Sequence, residues 1–434
     1  MFRPLNIAVI GGGISGLVAA FKLVRRGHRV SVFEGAKRVG GWVRSERLEG
    51  SLFEWGPNTL MATDDWFDLF RQLNLRPQHP RPGSKRRFIV LGGKLQELPI
   101  GPISFLMSSV LSWSSKKRIA MDLLQRDLLT QEDLSLREFA LRYLNQEILD
   151  RLLQPFVSGI YAGDAEELSL RSCFPKLWEG LKDKGSIIRG MRAQSRTERR
   201  PQMVSFESGL EVIIAALSHE LGARVRSDQE VLSLNRSGAE CWSVETRFGR
   251  EIFDHVVLSV PAFEVARLLE SILHVGHLKF LKSIPYKPVL VWNLLCERLE
   301  NFPRGFGCLI PRTEGTPLLG SLWRSEIFEG AATPDRVTMS QFFSGDSIPS
   351  DPQNHEQELR KWIPGMGRVI STESRLFKRG IPQLLVGHQK QMDLLLESVP
   401  KDLTLIGNYI EGVGLVAVMS RIRFGLAPLL DDLS

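Results

Sequence analysis

The stretch "NIAVIGGGISGLVAAFKLVRRGHRVSVFE", residues 6–34, places a glycine-rich turn and a periodic apolar segment between two apolar runs. Ile7–Ile10 is short and continuously apolar, which is typical of a strand buried on both faces of a parallel sheet. Apolar residues from Leu17 to Val24 recur at helical spacing, and Arg29–Phe33 reads as a second strand. The pattern predicts a strand–helix–strand unit that opens a Rossmann-like α/β domain.

Three glycines of the turn, Gly11, Gly13 and Gly16, have GxGxxG spacing. In a dinucleotide site the first allows a tight turn, the second admits a pyrophosphate to the backbone, and the third lets helix and strand pack closely. Glu34 ends the second strand, where a carboxylate accepts hydrogen bonds from a ribose diol and disfavours the 2′-phosphate of NADP. Since glycine-rich turns are common, a purely structural turn is the alternative, but strand, helix and acid together favour a dinucleotide site.

Composition and charge exclude few functions. The chain has 434 residues, 43% of them hydrophobic and 24% charged, which suits a globular protein of two or three domains. A net charge of +7 permits an acidic ligand or an anionic membrane surface, but the basic residues are too scattered to predict nucleic-acid binding. The cysteines form no CxxC pair, so we expect neither a disulfide framework nor a metal site. The first strand starts too early for a signal peptide, which predicts a cytoplasmic protein.

A second stretch, "KRVGGWVRSERLEGSLFEWGPNTL" (residues 37–60), resembles the second FAD signature of the amine oxidase and protoporphyrinogen oxidase superfamily. The resemblance implies FAD as cofactor, with Gly41, Trp42, Arg44, Gly56, Pro57, Asn58 and Thr59 among its contacts. Many members have arginine where this chain has Trp42, which leaves Arg44 to serve the phosphates. A solvated hairpin is the alternative interpretation of these residues.

Two long segments narrow the resemblance to the protoporphyrinogen and coproporphyrinogen oxidase family. They are "SKRRFIVLGGKLQELP" (residues 84–99) and "QPFVSGIYAGDAEELSLRSCFPKLWEG" (residues 154–180). Shorter similar segments extend the match from the first strand to the last helix. The resemblance implies an FAD-dependent oxidase that converts protoporphyrinogen IX to protoporphyrin IX, removing six electrons in three flavin cycles with oxygen as acceptor and peroxide as product.

The same resemblance implies two substrate contacts, Arg87 to a propionate and Gly159 to the macrocycle. A porphyrinogen is a large apolar ring with carboxylate arms, so it needs an apolar slot and few cations, and arginine binds carboxylates with paired hydrogen bonds. A solvated charge at Arg87 and a turn glycine at Gly159 are the alternatives. A coproporphyrinogen oxidase, whose substrate has four carboxylate arms, is the nearest rival, because Lys85, Arg86 and Arg87 could serve either substrate.

The remaining cofactor contacts come from the helix start and from later segments. Ile14 and Ser15 open the first helix, whose N-terminus favours phosphate. By resemblance, Val231 touches the adenine end, and the tail "GNYIEGVGLVAVMSRIRFG" (residues 407–425) contributes Gly407, Val413 and Gly414. Relatives commonly have a polar Asn-Asp-Cys where this chain has residues 416–418, Val-Ala-Val, so we expect a drier cofactor environment there. No catalytic side chain is expected, because a flavin carries the hard step itself.

The predicted architecture is α/β, with a discontinuous Rossmann-like FAD-binding domain, a mixed-sheet substrate domain and a helical insertion. The FAD-binding domain takes residues 1–75, 203–265 and 386–434. The substrate domain takes residues 76–91 and 266–385, and the insertion takes residues 92–202.

Residues 98–115 are uncharged but contain two prolines and six serines, so a membrane-spanning helix is not expected. Trp113 with the following Lys116, Lys117 and Arg118 favours a peripheral contact on the inner face of the cytoplasmic membrane, and a helix packed on its own insertion is the equal alternative. The sequence leaves a homodimer open. Other readings are an amine oxidase or desaturase on the same scaffold, or a catalytically silent flavoprotein.

Overall fold

The structure is a computed structural model that describes residues 3–99, 101–122, 133–189, 200–238, 240–345 and 348–430. Its strands in chain order are β1 (Asn6–Ile10), β2 (Arg29–Phe33), β3 (Ser45–Leu48), β4 (Ser51–Glu54), β5 (Leu60–Ala62), β6 (Phe88–Leu91), β7 (Lys94–Glu97), β8 (Gln202–Val204), β9 (Val225–Arg226), β10 (Val231–Arg236), β11 (Trp242–Thr246), β12 (Gly249–Phe253), β13 (His255–Leu258), β14 (Tyr286–Arg298), β15 (Gly307–Leu309), β16 (Leu318–Leu322), β17 (Arg336–Ser344), β18 (Met366–Pro382) and β19 (Leu403–Leu405).

Its α-helices in chain order are α1 (Ile14–Arg26), α2 (Asp64–Gln72), α3 (Pro102–Met107), α4 (Trp113–Met121), α5 (Leu136–Tyr143), α6 (Gln146–Ile148), α7 (Gln154–Tyr161), α8 (Leu170–Cys173), α9 (Pro175–Lys184), α10 (Glu211–Leu221), α11 (Ala262–Leu268), α12 (Val275–Ser283), α13 (Arg324–Ile327), α14 (Glu356–Trp362), α15 (His388–Ser398), α16 (Asn408–Glu411), α17 (Leu415–Gly425) and α18 (Ala427–Leu430).

β1 is the centre of a parallel sheet with the strand order β19-β13-β1-β2-β9. Successive residues of a strand point to opposite faces, so Ile7 and Val9 enter one hydrophobic cluster while Ala8 and Ile10 enter another. Helices α1 and α10 contribute to the first cluster, and α11 and α12 to the second. The predicted Rossmann-like α/β domain is confirmed, and its sheet draws strands from the start, middle and end of the chain.

The second large sheet is mixed and has seven strands, in the order β18-β14-β17-β16-β15-β6-β7. Its neighbours are antiparallel except for β15 and β6, which run parallel. One face packs on α14 around Trp292, Trp323 and Phe343. The predicted mixed sheet is therefore confirmed. β7 belongs to this sheet although the predicted insertion begins at residue 92, and the domain boundaries stay predictions.

Helices α5 and α7–α9 share a separate buried core, which includes Phe139, Tyr143 and Trp178. Helices α3, α4 and α6 pack instead around Val110 and Leu111 in a smaller cluster that adjoins β6. Within the described ranges, every helix falls short of the length or hydropathy that crossing a bilayer requires. The expectation that Lys116 faces lipid is wrong. Its ammonium is buried and donates to the carbonyls of Leu106 (2.7 Å) and Ser108 (2.6 Å), so it ties α4 to the end of α3.

A buried ion pair joins the β3–β4 hairpin to the segment that follows β16. Glu54 and Arg324 have side chains 0% and 2% exposed, and Arg324 Nη1 lies 3.5 Å from Glu54 Oε1. The carboxylate also accepts hydrogen bonds from Ser45 Oγ (2.7 Å) and the Leu210 N–H (2.8 Å). Burial removes hydration from the charged form and raises the pKa of Glu54 to about 7, although Arg324 and the donors oppose the rise.

The raised pKa of Glu54 predicts how stability depends on pH. The folded protein binds the Glu54 proton more tightly than the unfolded chain, where the pKa is 4.5. The resulting stabilisation is present below that value and is lost as the pH rises through about 7. We expect the free energy of unfolding of the wild type minus that of Glu54→Gln to be larger at about pH 5 than at about pH 8. Urea unfolding of both proteins measures this, and a difference that stays constant or grows with pH would contradict it.

Candidate cofactor and substrate site

Two contacts leave no room for a side chain at Gly11, which follows β1, and at Gly16 in the first turn of α1. Gly11 has φ +107°, and a Cβ on it would lie 2.5 Å from the Ser259 carbonyl oxygen. A Cβ on Gly16 would lie 1.9 Å from the Gly11 carbonyl oxygen. α1 therefore begins directly against the end of β1. With no side-chain cap at Gly13 and no acidic residue in its first turn, its N–H groups and positive dipole end are free to bind an anion.

Glu34 stands where β2 ends, with its carboxylate oriented by the backbone. Oε2 accepts the Gly12 N–H at 2.7 Å and Oε1 accepts the Ala36 N–H at 2.8 Å. A carboxylate oxygen has two lone pairs, so each oxygen can accept a further hydroxyl. The geometry suits the ribose role that the sequence predicts.

A cavity of about 610 Å³ runs along this turn. Most of the predicted cofactor residues line it, and they come from segments far apart in the chain. Those that do are Gly11, Gly13, Ile14, Ser15, Glu34, Gly41, Trp42, Pro57, Val231, Gly407 and Val413. The cavity thus gathers the predicted cofactor contacts at the carboxyl ends of the parallel strands, where ligands bind in open α/β sheets.

Other predicted cofactor residues lie behind the wall of the cavity or beside it. The lining does not include Gly16, Arg44, Gly56, Asn58, Thr59 or Gly414. Arg44 Nη2 lies 3.5 Å from Glu46 Oε2, so its guanidinium is paired on the hairpin. Gly56 packs so closely on the Gly41–Val43 loop that a Cβ would lie 1.9 Å from the Trp42 carbonyl oxygen. The roles of these residues in cofactor binding stay predictions.

The residues present fit FAD. Gly13 has extended backbone (φ −70°, ψ 175°), and a Cβ added there would meet no atom within 4 Å. Open space therefore begins at the peptide itself, which is what a phosphate held by the α1 N-terminus needs. Further along, Leu415 and Val418 line the cavity, so part of the Val-Ala-Val departure does form an apolar wall.

Sequence reasoning missed the helix after β13 as part of this site. Glu264 and Arg267 of α11 line the cavity, and Arg267 donates to the carbonyls of Val231 and Leu232 at 3.0 Å each. It also donates from Nε to Glu264 at 2.7 Å, so it fixes the start of β10. The strand-to-helix turn around Pro261 could have indicated this helix, because the turns that follow parallel strands all lie at the same edge of the sheet.

The structure brings Arg87 and Gly159 together in a second cavity, of about 230 Å³. One side is β15 and β16 of the mixed sheet, and the other is α7, which contributes Phe156 and Ile160. Among the described residues, the lining side chains are apolar apart from Arg87 and Ser321. The two residues predicted to contact substrate therefore share one largely apolar site.

Arg87 lies at the rim of this cavity. Its guanidinium carbon is 4.6 Å from the centre of the Phe306 ring, and Nη1 donates to the Lys85 carbonyl at 3.2 Å. The side chain stays accessible to solvent, yet the surrounding protein removes enough hydration to lower the pKa of Arg87. No salt bridge found among the described residues involves Arg87, whereas Arg86 is paired with Glu97 at 2.6 Å.

Two further apolar cavities adjoin the second one. A cavity of about 290 Å³ shares Leu98, Phe156 and Leu309 with it, and another of about 230 Å³ shares Leu98. Both are lined almost wholly by aliphatic and aromatic side chains. The slot that begins at Arg87 thus continues as an uncharged surface into the helical cluster.

Comparisons with known proteins agree with this geometry. The chain matches the family model for flavin containing amine oxidoreductases over residues 14–373. It is 31% identical over 451 residues to protoporphyrinogen oxidase 2, chloroplastic/mitochondrial, of Arabidopsis thaliana, covering 91% of this chain and 87% of that protein. Coproporphyrinogen III oxidase of Bacillus subtilis is 25% identical, with 94% of each protein covered. The solved structure of an Exiguobacterium sp. protein aligns with a TM-score of 0.82 over 99% of both chains, which at 23% identity shows a shared fold.

The open space at Gly13 predicts a variant that folds but does not bind cofactor. The backbone there is allowed for any residue, so Gly13→Val should keep the wild-type far-ultraviolet circular dichroism, while its side chain fills the phosphate cradle. We expect FAD affinity to fall by at least about 10-fold, measured by fluorescence titration of the apoprotein. Gly276→Val, at the start of α12, is the matched control. Wild-type affinity in a folded Gly13→Val protein would contradict the assignment.

Proposed function

The chain belongs to the flavin containing amine oxidoreductase family and is an FAD-dependent oxidase, and from this premise we propose that it oxidises protoporphyrinogen IX to protoporphyrin IX. One observation carries the proposal: Arg87 and Gly159 line a single, largely apolar cavity. Relatives named protoporphyrinogen oxidase that span most of the chain support it.

The proposed reaction consists of three two-electron oxidations. Each removes a hydride from a bridging carbon and a proton from the ring system, so six hydrogens leave in all. FAD, when bound, supplies the hydride acceptor. Dioxygen is the proposed terminal oxidant, and three molecules of it leave as three molecules of hydrogen peroxide, which balances electrons and protons.

The protein's own residues bind and orient the substrate. Arg87, accessible at the rim, offers a planar fork of donors to a propionate that stays partly hydrated. The ring enters the apolar slot beside Phe306. Gly159 keeps α7 close to the sheet, since a Cβ there would lie 2.8 Å from Leu309 Cδ2. In this arrangement no side chain needs to act as acid or base.

The apolar extension of the slot favours protoporphyrinogen over coproporphyrinogen. Coproporphyrinogen carries two more carboxylates, and these would be desolvated against Leu98, Phe156 and Leu309 if the ring pointed inward. Arg86 is held by Glu97 and contributes no free cation to the slot. Vinyl groups, by contrast, match the apolar wall.

The Arg87 role predicts a selective loss of substrate affinity. We expect Arg87→Met to raise KM for protoporphyrinogen roughly 10- to 100-fold, because hydrogen bonds to charged groups contribute about 1.5–3 kcal/mol. kcat should change much less, since the carboxylate is remote from the reacting carbons. Arg86→Met removes a neighbouring arginine that is paired outside the slot and should leave KM within about two-fold. Equal effects of the two substitutions would rule out a specific role for Arg87.

Substrate preference is tested by supplying both porphyrinogens to the purified holoenzyme. We expect a higher kcat/KM with protoporphyrinogen IX than with coproporphyrinogen III, followed by the absorbance of each porphyrin. Bleaching of the bound flavin by porphyrinogen without oxygen tests the reaction class. Preferential turnover of the four-carboxylate substrate would replace the proposed substrate, and a flavin that neither porphyrinogen reduces would reject the function.

We also propose that α3 and α4 make a peripheral membrane contact. Ile103, Met107 and Trp113 are 77%, 84% and 71% exposed, an unusual concentration of large apolar side chains on short neighbouring helices. Exposed Lys117 lies beside them and suits lipid phosphate. Co-sedimentation with anionic vesicles should fall when Met107 and Trp113 are both changed to serine, while FAD content stays unchanged. Binding equal to wild type would refute this contact.

A further inference from the structure

Arg324 donates a hydrogen bond to the loop of residues 56–59, which is part of the cofactor site. Its Nη1 donates to the carbonyl oxygen of Asn58 at 2.9 Å, and its Nη2 donates to Ser205 Oγ at 2.8 Å. The guanidinium is also paired with buried Glu54. This buried side chain therefore links its own segment to residues 54–58 and to the segment that contains Ser205.

The loop that Arg324 holds carries part of the cofactor wall. Residues 56–59 follow β4, and Pro57 lines the large cavity. Gly56 abuts the Trp42 carbonyl, and Trp42 lines the same cavity. Asn58 Nδ2 donates to the Gly56 carbonyl at 3.2 Å, which stiffens the loop internally. A displacement at Asn58 is therefore passed on to both the Pro57 and the Trp42 parts of the wall.

Arg324 is also close in sequence to the wall of the substrate cavity. β16 lines that cavity from Leu319 to Leu322, only two residues before Arg324. The chain between them is pinned, because Trp323 is fully buried and its Nε1 donates to Ser321 Oγ at 2.9 Å. The substrate wall and the cofactor wall are thus joined through a single guanidinium.

Only arginine among the side chains meets this geometry. Its planar fork donates hydrogen bonds to Asn58 and Ser205 in fixed directions and faces the Glu54 carboxylate at 3.5 Å, whereas a lysine ammonium in the same place is a point charge on a flexible stem. A buried ion pair costs desolvation and often stabilises no more than apolar residues of equal volume. Stability alone therefore does not account for a charged group at this position.

We infer that Arg324 is a positioning residue that sets the alignment of the cofactor wall with the substrate wall. The consequence for catalysis rests on the proposed function, because transfer from a ring carbon requires the reacting atoms in near contact. A misplacement of about 1 Å can cost about 100-fold in rate. The alignment itself is a property of the FAD-loaded protein and can be tested without substrate.

The test compares holoenzymes of the wild type, Arg324→Lys, the doubly neutral Glu54→Gln/Arg324→Met, and Arg298→Met. Arg298 is the matched control, since it forms an ion pair with buried Glu326 of the same helix at 2.6 Å but does not hold the 56–59 loop. The first measurement is the visible circular dichroism of bound FAD. We expect it to change in both Arg324 variants and to match the wild type in Arg298→Met. An unchanged spectrum in both Arg324 variants overturns the inference, whatever the substrate is.

The second measurement is anaerobic reduction of the bound flavin by protoporphyrinogen in a stopped-flow instrument. We expect the limiting rate to fall roughly 10- to 100-fold in the Arg324 variants, with the apparent Kd for porphyrinogen within about three-fold of wild type. Arg324→Lys keeps the positive charge, so both measurements can be made on this variant if the double variant does not fold. An equal rate loss in Arg298→Met would show general destabilisation and overturn the inference. If protoporphyrinogen does not reduce the flavin of the wild type, the proposed function is rejected instead. The circular dichroism result then still tests whether Arg324 aligns the two walls.

Discussion

The structure depends on the contact between the first turn of α1 and the end of β1. Gly16 brings the helix so close that the carbonyl of Gly11 occupies the place of a Cβ. This approach aims the helix N-terminus at the edge of the parallel sheet, and it fixes where an anion can bind without any cation being supplied. The turn after β13 meets the same point through Ser259, so two crossovers of the sheet converge on one cradle.

The two cavities differ in how they present charge to a ligand. The cofactor cavity relies on backbone donors and a helix end, and it has Trp42 in its wall while the nearby Arg44 is paired with Glu46. The second cavity has an arginine at its rim, and its other lining side chains are apolar apart from Ser321. The buried pair of Glu54 and Arg324 lines neither cavity, and it joins the β3–β4 hairpin to the segment that follows β16.

The sequence allowed much of the fold and of the candidate site to be predicted, where the signal was local. The β1–α1–β2 unit has its own periodicity and glycine spacing, and the strand Arg29–Phe33 was placed to the residue. Arg87 and Gly159 needed a family resemblance, because nothing in their neighbourhood marks a site. Arg267 and Arg324 could not be predicted, since each acts through partners that only folding brings near. Lys116 does not face lipid as the membrane interpretation expected, because carbonyls at the end of α3 accept its hydrogen bonds.

The wall of the cofactor cavity is built from segments that lie far apart in the chain, and this has a consequence for biosynthesis. The wall uses residues near both ends of the chain, from the first glycine turn to Val418, and β19 adds the last edge of the parallel sheet beside β13. A nascent chain emerging from the ribosome cannot complete the pocket until α17 has been released. A chain that stops before α17 lacks Leu415 and Val418 from the wall of this cavity, so we expect flavin loading to follow the synthesis of α17.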